Sequence, residues 1–558
     1  MIRPFLTVSA GTLLSRLLGF ARDALVAALL GTGFVADGFL LAFQLVNVTR
    51  RLLTEGALNA ALVPAWLRQR DANGAVAAAA FAGRLVGSIG LAMLIAALLL
   101  GVLMPWVIGA LAPGFVGQPS LPLAVTDARL MLPYLAFAGP VAVLMGLLNA
   151  QGRFALTAFS PLLFNLALIG VMIALLIWRR DAADAATLIA ATVGLAGLLQ
   201  LSVLAMHRGE RLATPLRASF DAAMRGFFAK AIPGMLANSG PQLLIVAGAI
   251  VASAAPSAVA WLYFANRLIE LPLGIVGAAM GSVLVPELTR AVRGTDPGAI
   301  AKAESHALEL AIGLGLPAAL GLMVLSQPIV RLLFEHGAFG AADTAATAQA
   351  LTLLALGLPA HVLSKALAPA FFARDNTKVP LQAMLTGLGT AIVAALLLGH
   401  WFGVAGVAAA VALGAWGSAI LLIRRGATTF GFALAAATRR RLVLIVLAAL
   451  AMAGLLWLKA SFGGGGGGPP PPRRPPAPRG GGGGRRTARG GGGGGGGGAR
   501  GRGGGRGPPQ AHGAIQALAL GLLIAGGIAV YGGLLVLFGV VNPSELLRAI
   551  RRPDGLRD

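Results

Sequence analysis

The side chains able to do chemistry in this chain are charges set inside long apolar runs. Arg16, Arg22 and Asp23 fall in the first run, and Asp37, Arg50, Arg51 and Glu55 in the second. Arg267 and Glu270 fall in the eighth, and Lys365 in the tenth. An arginine or lysine facing the middle of a bilayer costs on the order of 3 kcal/mol. Four of them facing lipid would cost about 12 kcal/mol by the same scale. They must therefore line a cavity or pair with acids. Arg16 and Arg22 stand about 9 Å apart along a helix axis, at two depths. Arg50 and Glu55 share a side only loosely, whereas Arg51 and Glu55 are spaced i,i+4 and pair directly. The charges named in the first, second and eighth runs are five arginines against four acids. A small positive excess in a lipid-buried cavity points to an anionic ligand, and the planar guanidinium fork suits phosphate. The alternative is that Arg22–Asp23 and Arg51–Glu55 only tie helices together. Lys365 sits near a run's end, where its charge reaches the interface.

The elements that must position these charges are helices. The chain has 558 residues, 57% of them apolar and 11% charged, with no cysteine. A soluble domain carries about 25% charged residues, so lipid rather than water must cover much of this surface. The absence of cysteine excludes disulfides, thiol nucleophiles and thiolate metal sites. Apolar runs of spanning length, about 20 residues, recur near 7–31, 34–66, 76–111, 121–149, 156–178, 185–207, 226–253, 258–291, 303–334, 341–372, 380–400, 402–424, 440–459 and 514–541. Backbone groups in lipid must bond internally, so these runs are predicted to be helices. Kinks or tilts are expected at Pro105, Pro272 and Pro317. The first run is not a signal peptide, because Arg16 and Arg22 interrupt it and it has no basic leader or A-x-A site.

Loop charge sets orientation. With the N-terminus inside, the inner loops, tail and helix ends carry 24 basic residues, against five (Arg129, Arg179, Arg180, Arg331 and Lys459) on the outer side before residue 463. Both termini are thus expected in the cytoplasm of a bacterial cytoplasmic (inner) membrane protein. That places residues 463–509 outside, with 25 Gly, 9 Pro, 9 Arg and no acid. Such a segment builds no core and is expected to be disordered. Its Gly501–Gly507 stretch looks like an RGG tract, but it faces away from the cytoplasm and no nucleic-acid partner is expected. A sequence artefact in a GC-rich gene is a further reading.

An internal repeat is also present. Leu62-Val63-Pro64 recurs as Leu284-Val285-Pro286, Met104-Pro105 as Gln327-Pro328, Phe115 as Phe339 and Ser160-Pro161 as Val379-Pro380. Six helices per copy give a parallel repeat, as in transporters with two lobes around a cavity. The expected fold is an all-α polytopic membrane protein of about 14 transmembrane helices. Residues 1–210 form one six-helix lobe and 211–430 the second. Residues 431–462 form the thirteenth helix, 463–509 the insert, and 510–558 the fourteenth helix with a cytoplasmic tail. No nucleotide-binding loop, nucleophile elbow or zinc-helix motif occurs, and the six histidines form no ligand pair. No metal site, cofactor or enzymatic activity is expected.

The charged residues also carry a resemblance. The run Ser15-Arg16 to Arg22-Asp23, then Ala36-Asp37, Asn47-x-x-Arg50-Arg51-x-x-x-Glu55-Gly56-Ala57 and Val63-Pro64, resembles the N-terminal signature of the MurJ (MviN) family. These are the lipid II flippases of the MOP exporter superfamily. Arg267-Leu-Ile-Glu270-x-Pro272, Leu333-Phe334 to Phe339, and Lys365 to Pro369 with Phe372 to Pro380 resemble it too. The resemblance implies two six-helix lobes plus two C-terminal helices that flank a groove for a lipid tail. It implies that Arg16, Arg22, Arg50 and Arg267 bind the pyrophosphate of lipid II, a polyprenyl-pyrophosphate glycopeptide. Asp23, Asp37, Asn47, Arg51, Glu55 and Glu270 would support the cavity or pair helices. Departures are Gln44 and Val46, where the family usually has Lys and Pro, and Asn266, where it often has Asp.

The leading reading is alternating access; without an ATPase motif, its bias must come from membrane potential, an ion (cation) gradient or consumption of product outside. Cell-wall synthesis proteins would be partners. Two alternatives remain: a flippase for another polyprenyl-pyrophosphate-linked oligosaccharide, and a non-transporting membrane scaffold for wall synthesis.

Overall fold

The computed structural model describes residues 2–54, 57–206, 213–222, 224–229, 246, 248–279, 297–372, 374, 376–430, 436–463 and 509–541. Most of the seventh expected span lies outside them, as do Glu55, the side chains of Arg50 and Arg51, and residues 464–508. Among the described residues there is no strand. The first half contains α1 (Ile2–Leu30), α2 (Phe34–Thr54), α3 (Ala57–Leu111), α4 (Ser120–Ala150), α5 (Phe154–Trp178) and α6 (Ala182–Ala205). The second contains α7 (Ala258–Ala279), α8 (Pro297–Val324), α9 (Ser326–Phe334), α10 (Ala341–Ala355), α11 (Leu358–Phe372) and α12 (Lys378–Phe430). Then follow α13 (Ala436–Gly463) and α14 (Pro509–Leu537).

Ten stretches among the described residues are long and apolar enough to cross a membrane, and Phe34–Val48 of α2 is a shorter apolar helix. One of the ten, within α12, is broken at Gly403 into two spans, so the count is compatible with the fourteen expected. The protein is a multi-pass membrane protein. Its outer faces show why: Leu94, Leu98, Val102 and Trp106, one turn apart along α3, are all exposed. Such a stripe in water would be a large apolar patch, whereas in lipid it is the solvated face. Hydroxyls on these helices bond back to their own backbone, as Thr126 does to the Pro122 carbonyl and Thr192 to that of Leu188.

Pro105, Pro272 and Pro317 all sit inside continuous helices. The non-helical backbone within the longest elements falls instead at Gly74 (φ 79°) and Gly403 (φ 55°). A proline removes one N–H that packed neighbours can compensate, but a positive φ reverses the chain and favours glycine.

Helix α4 is the hub of the first half and packs against α2, α3 and α6, while α1 packs on α5. In the second half α8, α10, α11 and α12 pack together around α7, and α13 joins α8 and α14. Tyr531 of α14 donates to the Gly313 carbonyl of α8 at 2.7 Å. Residues 213–221 run along α3, where the Thr214 amide donates to the Ala79 carbonyl at 3.2 Å.

At one end of the bundle the two halves are joined by polar contacts. The Gly114 amide donates to Ser253 Oγ at 3.1 Å, and the Ala338 amide donates to the Ala28 carbonyl at 2.9 Å. Gly337 (φ 59°) brings its α-carbon against the Ala28 backbone, leaving no room for a Cβ. These loops hold Phe115 and Phe339, the pair matched in the sequence repeat, and both rings are buried. The repeat thus reappears as two loops, each resting on the other half.

Candidate functional site

A cavity of about 370 Å³ lies between α1, α2, α4, α5, α6 and α7. Arg16 and Arg22 line it from α1, Gln44 and Asn47 from α2, and Asn266, Arg267 and Glu270 from α7. Asp23 is the electrostatic centre of its wall and is fully buried. Its Oδ1 accepts from Arg22 Nε at 3.0 Å and Nη2 at 2.6 Å, and from the Tyr263 hydroxyl at 3.2 Å. Its Oδ2 makes an ion pair with Arg267 Nε at 2.5 Å. Arg267 Nη1 also donates to Glu270 Oε2 at 2.8 Å. One carboxylate of the first half therefore bridges an arginine of each half.

The guanidinium of Arg22 is fixed further. Its Nη1 donates to Asn165 Oδ1 at 3.1 Å, and Asn165 Nδ2 donates to the Ser15 carbonyl at 3.2 Å. Its plane lies over Phe43, 4.9 Å from the ring centroid, and Arg267 lies 5.2 Å from the Phe20 centroid. Such cation–π contacts hold a charge in a low-dielectric wall.

Among the described residues, two carboxylates, Asp23 and Glu270, face three arginines, Arg16, Arg22 and Arg267, at this cavity. Arg16 has no carboxylate partner among them. Its guanidinium lies against the bare α-carbon of Gly274 on α7, and Arg267 Nη2 lies 2.6 Å from where a Cβ of Gly19 would be. Each half thus lays an arginine on a glycine of the other. Gly274→Ala is expected to drive Arg16 off its seat while barely changing the melting temperature, because a flexible side chain yields. Transport should fall about tenfold, the equivalent of roughly 1.4 kcal/mol, and a flux assay paired with a thermal melt checks this.

The sequence-predicted residues divide as follows. Arg16, Arg22, Asp23, Asn47, Arg267 and Glu270 come together here. Asp37 lies at the joined end instead: its Oδ2 and Oδ1 accept from the backbone amides of Ser257 and Ala260, each at 2.8 Å. It therefore caps the N-terminus of α7 from the opposite half. Nearby, Asp343 Oδ1 accepts from Thr32 Oγ1 at 2.5 Å and from Trp261 Nε1 at 3.1 Å. Lys365 Nζ lies 3.3 Å from where a Cβ of Gly277 on α7 would be. Arg50, Arg51 and Glu55 lie outside the described side chains. Asn165, Tyr263 and Phe43 were not among the predicted site residues. Asn165 could have been found as the lone amide in the apolar run of α5. The departure Gln44 keeps a buried Oε1 with no hydrogen-bond partner. No group of three or more metal-ligating side chains occurs among the described residues.

Membrane-length helices enclosing a charged cavity between two packed halves define a polytopic membrane transporter, not a catalyst. The family model "Lipid II flippase MurJ" matches residues 26–466. A probable lipid II flippase MurJ of Rhizobium meliloti (strain 1021) is 36% identical over 427 residues, covering 76% of this chain and 80% of the relative. The lipid II flippase MurJ of Burkholderia cenocepacia is 31% identical over 443 residues, covering 76% and 83%. A solved lipid II flippase MurJ in an inward closed conformation superposes with a TM-score of 0.72 at 20% identity, covering 98% of this chain and 100% of that one. An inward-facing MATE family multidrug transporter of the MOP superfamily gives 0.55 at 15% identity, covering 77% and 95%. The chain belongs to the MurJ family of lipid II flippases.

Proposed function

We propose that the protein moves lipid II from the inner to the outer leaflet of the bacterial cytoplasmic membrane by alternating access. The observation that carries this reading is Arg16, an arginine on the cavity wall with no carboxylate partner among the described residues, beside two arginines already held by Asp23 and Glu270. A pyrophosphate head entering the cavity takes Arg16 first. It then competes with Asp23 and Glu270 for the free N–H groups of Arg22 and Arg267, and Arg50 supplies a fourth guanidinium. Guanidinium forks bind phosphate oxygens in pairs. Because Asp23 joins an arginine of each half, drawing those arginines onto the ligand loosens one tie between the halves. Binding and lobe movement are then coupled at the same atoms. The polyprenyl tail stays in lipid.

Both termini lie in the cytoplasm, so the joined end, with Asp37 and Asp343, faces outward. With no nucleotide-hydrolysing motif, the membrane potential supplies direction. Moving one negative charge outward through an inside-negative membrane is favourable by about 2.3 kcal/mol per 100 mV.

The test is rescue of a bacterium depleted of its own lipid II flippase. The chain should rescue, and lipid II should be the precursor that accumulates without it. Rescue by Arg16→Ala at full efficiency would remove the arginine role. Accumulation of a different lipid-linked oligosaccharide would reassign the cargo. Because the family match ends at residue 466, deletion of residues 464–508, with a short flexible linker in their place, is expected to leave rescue intact.

A further inference from the structure

We propose that Asp127 is a proton-binding site of this transporter, occupied while the outer end is closed and emptied when that end opens. Asp127 lies two turns into α4 and is 1% exposed. Neither carboxylate oxygen has a hydrogen-bond partner. It does not line the charged cavity, and the cargo-binding role proposed for the arginines does not use it.

The groups that could neutralise it are all engaged elsewhere. Helices α2, α3, α5 and α6 pack on α4. On α2, Asp37 is taken by the amides of Ser257 and Ala260, and Arg50 and Arg51 belong to the other end of that helix. On α3, Arg84 pairs with Asp221 at 3.6 Å, and Arg68, Arg70 and Asp71 precede the break at Gly74. The helix α5 carries no charged residue. On α6, Asp184 pairs with Arg180 at the exposed outer end. On α4 itself, Arg129 Nε donates to the Gly101 carbonyl at 2.9 Å. No cation and no N–H reaches Asp127 among the described residues. A bare carboxylate in such surroundings costs several kcal/mol, so the neutral acid is the form the site accepts. No metal-ligating cluster of three or more such side chains occurs among the described residues, and a lone neutral carboxyl takes a proton.

Two close backbone contacts flank the site. A Cβ on Gly38 of α2 would lie 3.1 Å from the Ser120 carbonyl oxygen and 3.3 Å from the Ala124 nitrogen, one turn before Asp127. Gly194 of α6 presses on the Leu130 carbonyl, just after it. Gly38 neighbours Asp37, which holds the opposite half. The helix that seals the outer end is therefore the same helix that covers Asp127. When α2 leaves the seal, water reaches the carboxyl and the proton passes to it, leaving the carboxylate solvated. Closure requires the proton back.

The sign separates this site from the seal itself. Asp37 accepts two backbone hydrogen bonds as a carboxylate, so protonating it loosens the outer end. Protonating Asp127 favours closure.

The chain has no native cysteine, so Val116→Cys with Ala342→Cys, both exposed sites at that end, takes spin labels cleanly. Distances would be measured in full-length protein in lipid nanodiscs from mildly acidic to mildly alkaline pH. The wild-type closed-to-open ratio, divided by that of Asp127→Asn at each pH to remove the opposing effect of Asp37, should rise on acidification, approaching tenfold per pH unit for a single proton. Asp127→Asn should lose that rise and keep only the opposing loosening from Asp37, and Asp127→Glu should restore the rise. In parallel, infrared spectra of the wild type at neutral pH should show a protonated-carboxyl band that Asp127→Asn removes and Asp127→Glu shifts. A band unchanged in both variants, or an acid-driven closure unchanged by Asp127→Asn, overturns the proposal.

Discussion

Arg16→Ala and Arg267→Ala are each expected to abolish rescue of a flippase-depleted strain, for reasons that a thermal melt separates. Arg16 seats on Gly274 and holds no carboxylate among the described residues, so its loss removes a ligand contact and leaves no buried acid behind. The protein should reach the membrane at normal levels, melt normally and fail to transport. Arg16→Lys keeps the charge but loses the fork, and should give partial rescue. Arg267 is different. It touches Asp23 Oδ2 at 2.5 Å and donates to Glu270 at 2.8 Å. Removing it leaves Asp23 to Arg22 and Tyr263 and takes from Glu270 a hydrogen-bonded cation; breaking a buried pair costs up to about 3–5 kcal/mol. Arg267→Ala should therefore lower the melting temperature as well as stop transport. Adding Asp23→Asn to Arg267→Ala should recover neither the melting temperature nor transport, because it takes from buried Arg22 its carboxylate. Equal melts for Arg16→Ala and Arg267→Ala would show that the Asp23 bridge carries no structural load.

That separation was only half visible in the sequence. Arg16, Arg22, Asp23, Arg267 and Glu270 stood out because a charge inside an apolar run demands an explanation wherever it occurs. What each charge does depends on partners far away in the chain. Asn165, 143 positions from Arg22, and Tyr263, 240 positions from Asp23, become neighbours only when α5 and α7 pack on α1. Asp37 was readable as a costly residue but not as a helix cap, because the helix it caps begins more than two hundred residues later. The spans were legible from apolar length, their interruptions less so. The run at 341–372 divides into α10 and α11 at Leu356 and Gly357, and that at 303–334 into α8 and α9 at Leu325. An apolar turn in lipid leaves no polar mark. Asp127 escaped notice for the opposite reason: a lone acid near a span end reads as an interfacial residue until its burial is seen.

Asp37→Ala is expected to shift the protein toward the outward-open state and to reduce transport without emptying the arginine cavity. Asp37 is the acceptor for two backbone N–H groups at the first turn of α7, and no other described residue replaces it there. Losing a side-chain cap costs about 0.5–2 kcal/mol, and amides left buried without an acceptor add about 1–3 kcal/mol. That cost falls on the closed state alone, because opening exposes the amides to water. A change of about 2 kcal/mol is roughly a thirtyfold change in the closed-to-open ratio, well within reach of distance measurements on the labelled Val116→Cys, Ala342→Cys protein. Asp37→Asn keeps one carbonyl oxygen and should fall between. The remaining contacts at this end, Thr32 to Asp343 and Ala338 to Ala28, are not touched by either substitution, so closure should weaken and not vanish. Binding of a pyrophosphate lipid to the detergent-solubilised variant should persist, since Arg16, Arg22 and Arg267 are untouched. Lost binding with an unchanged closed fraction would place Asp37 in the cavity's chemistry instead of in the seal. The two halves would then have to be held closed by the Thr32–Asp343 hydrogen bond and the loops at Gly114 and Gly337, a load that so few contacts share poorly once α7 has lost its cap.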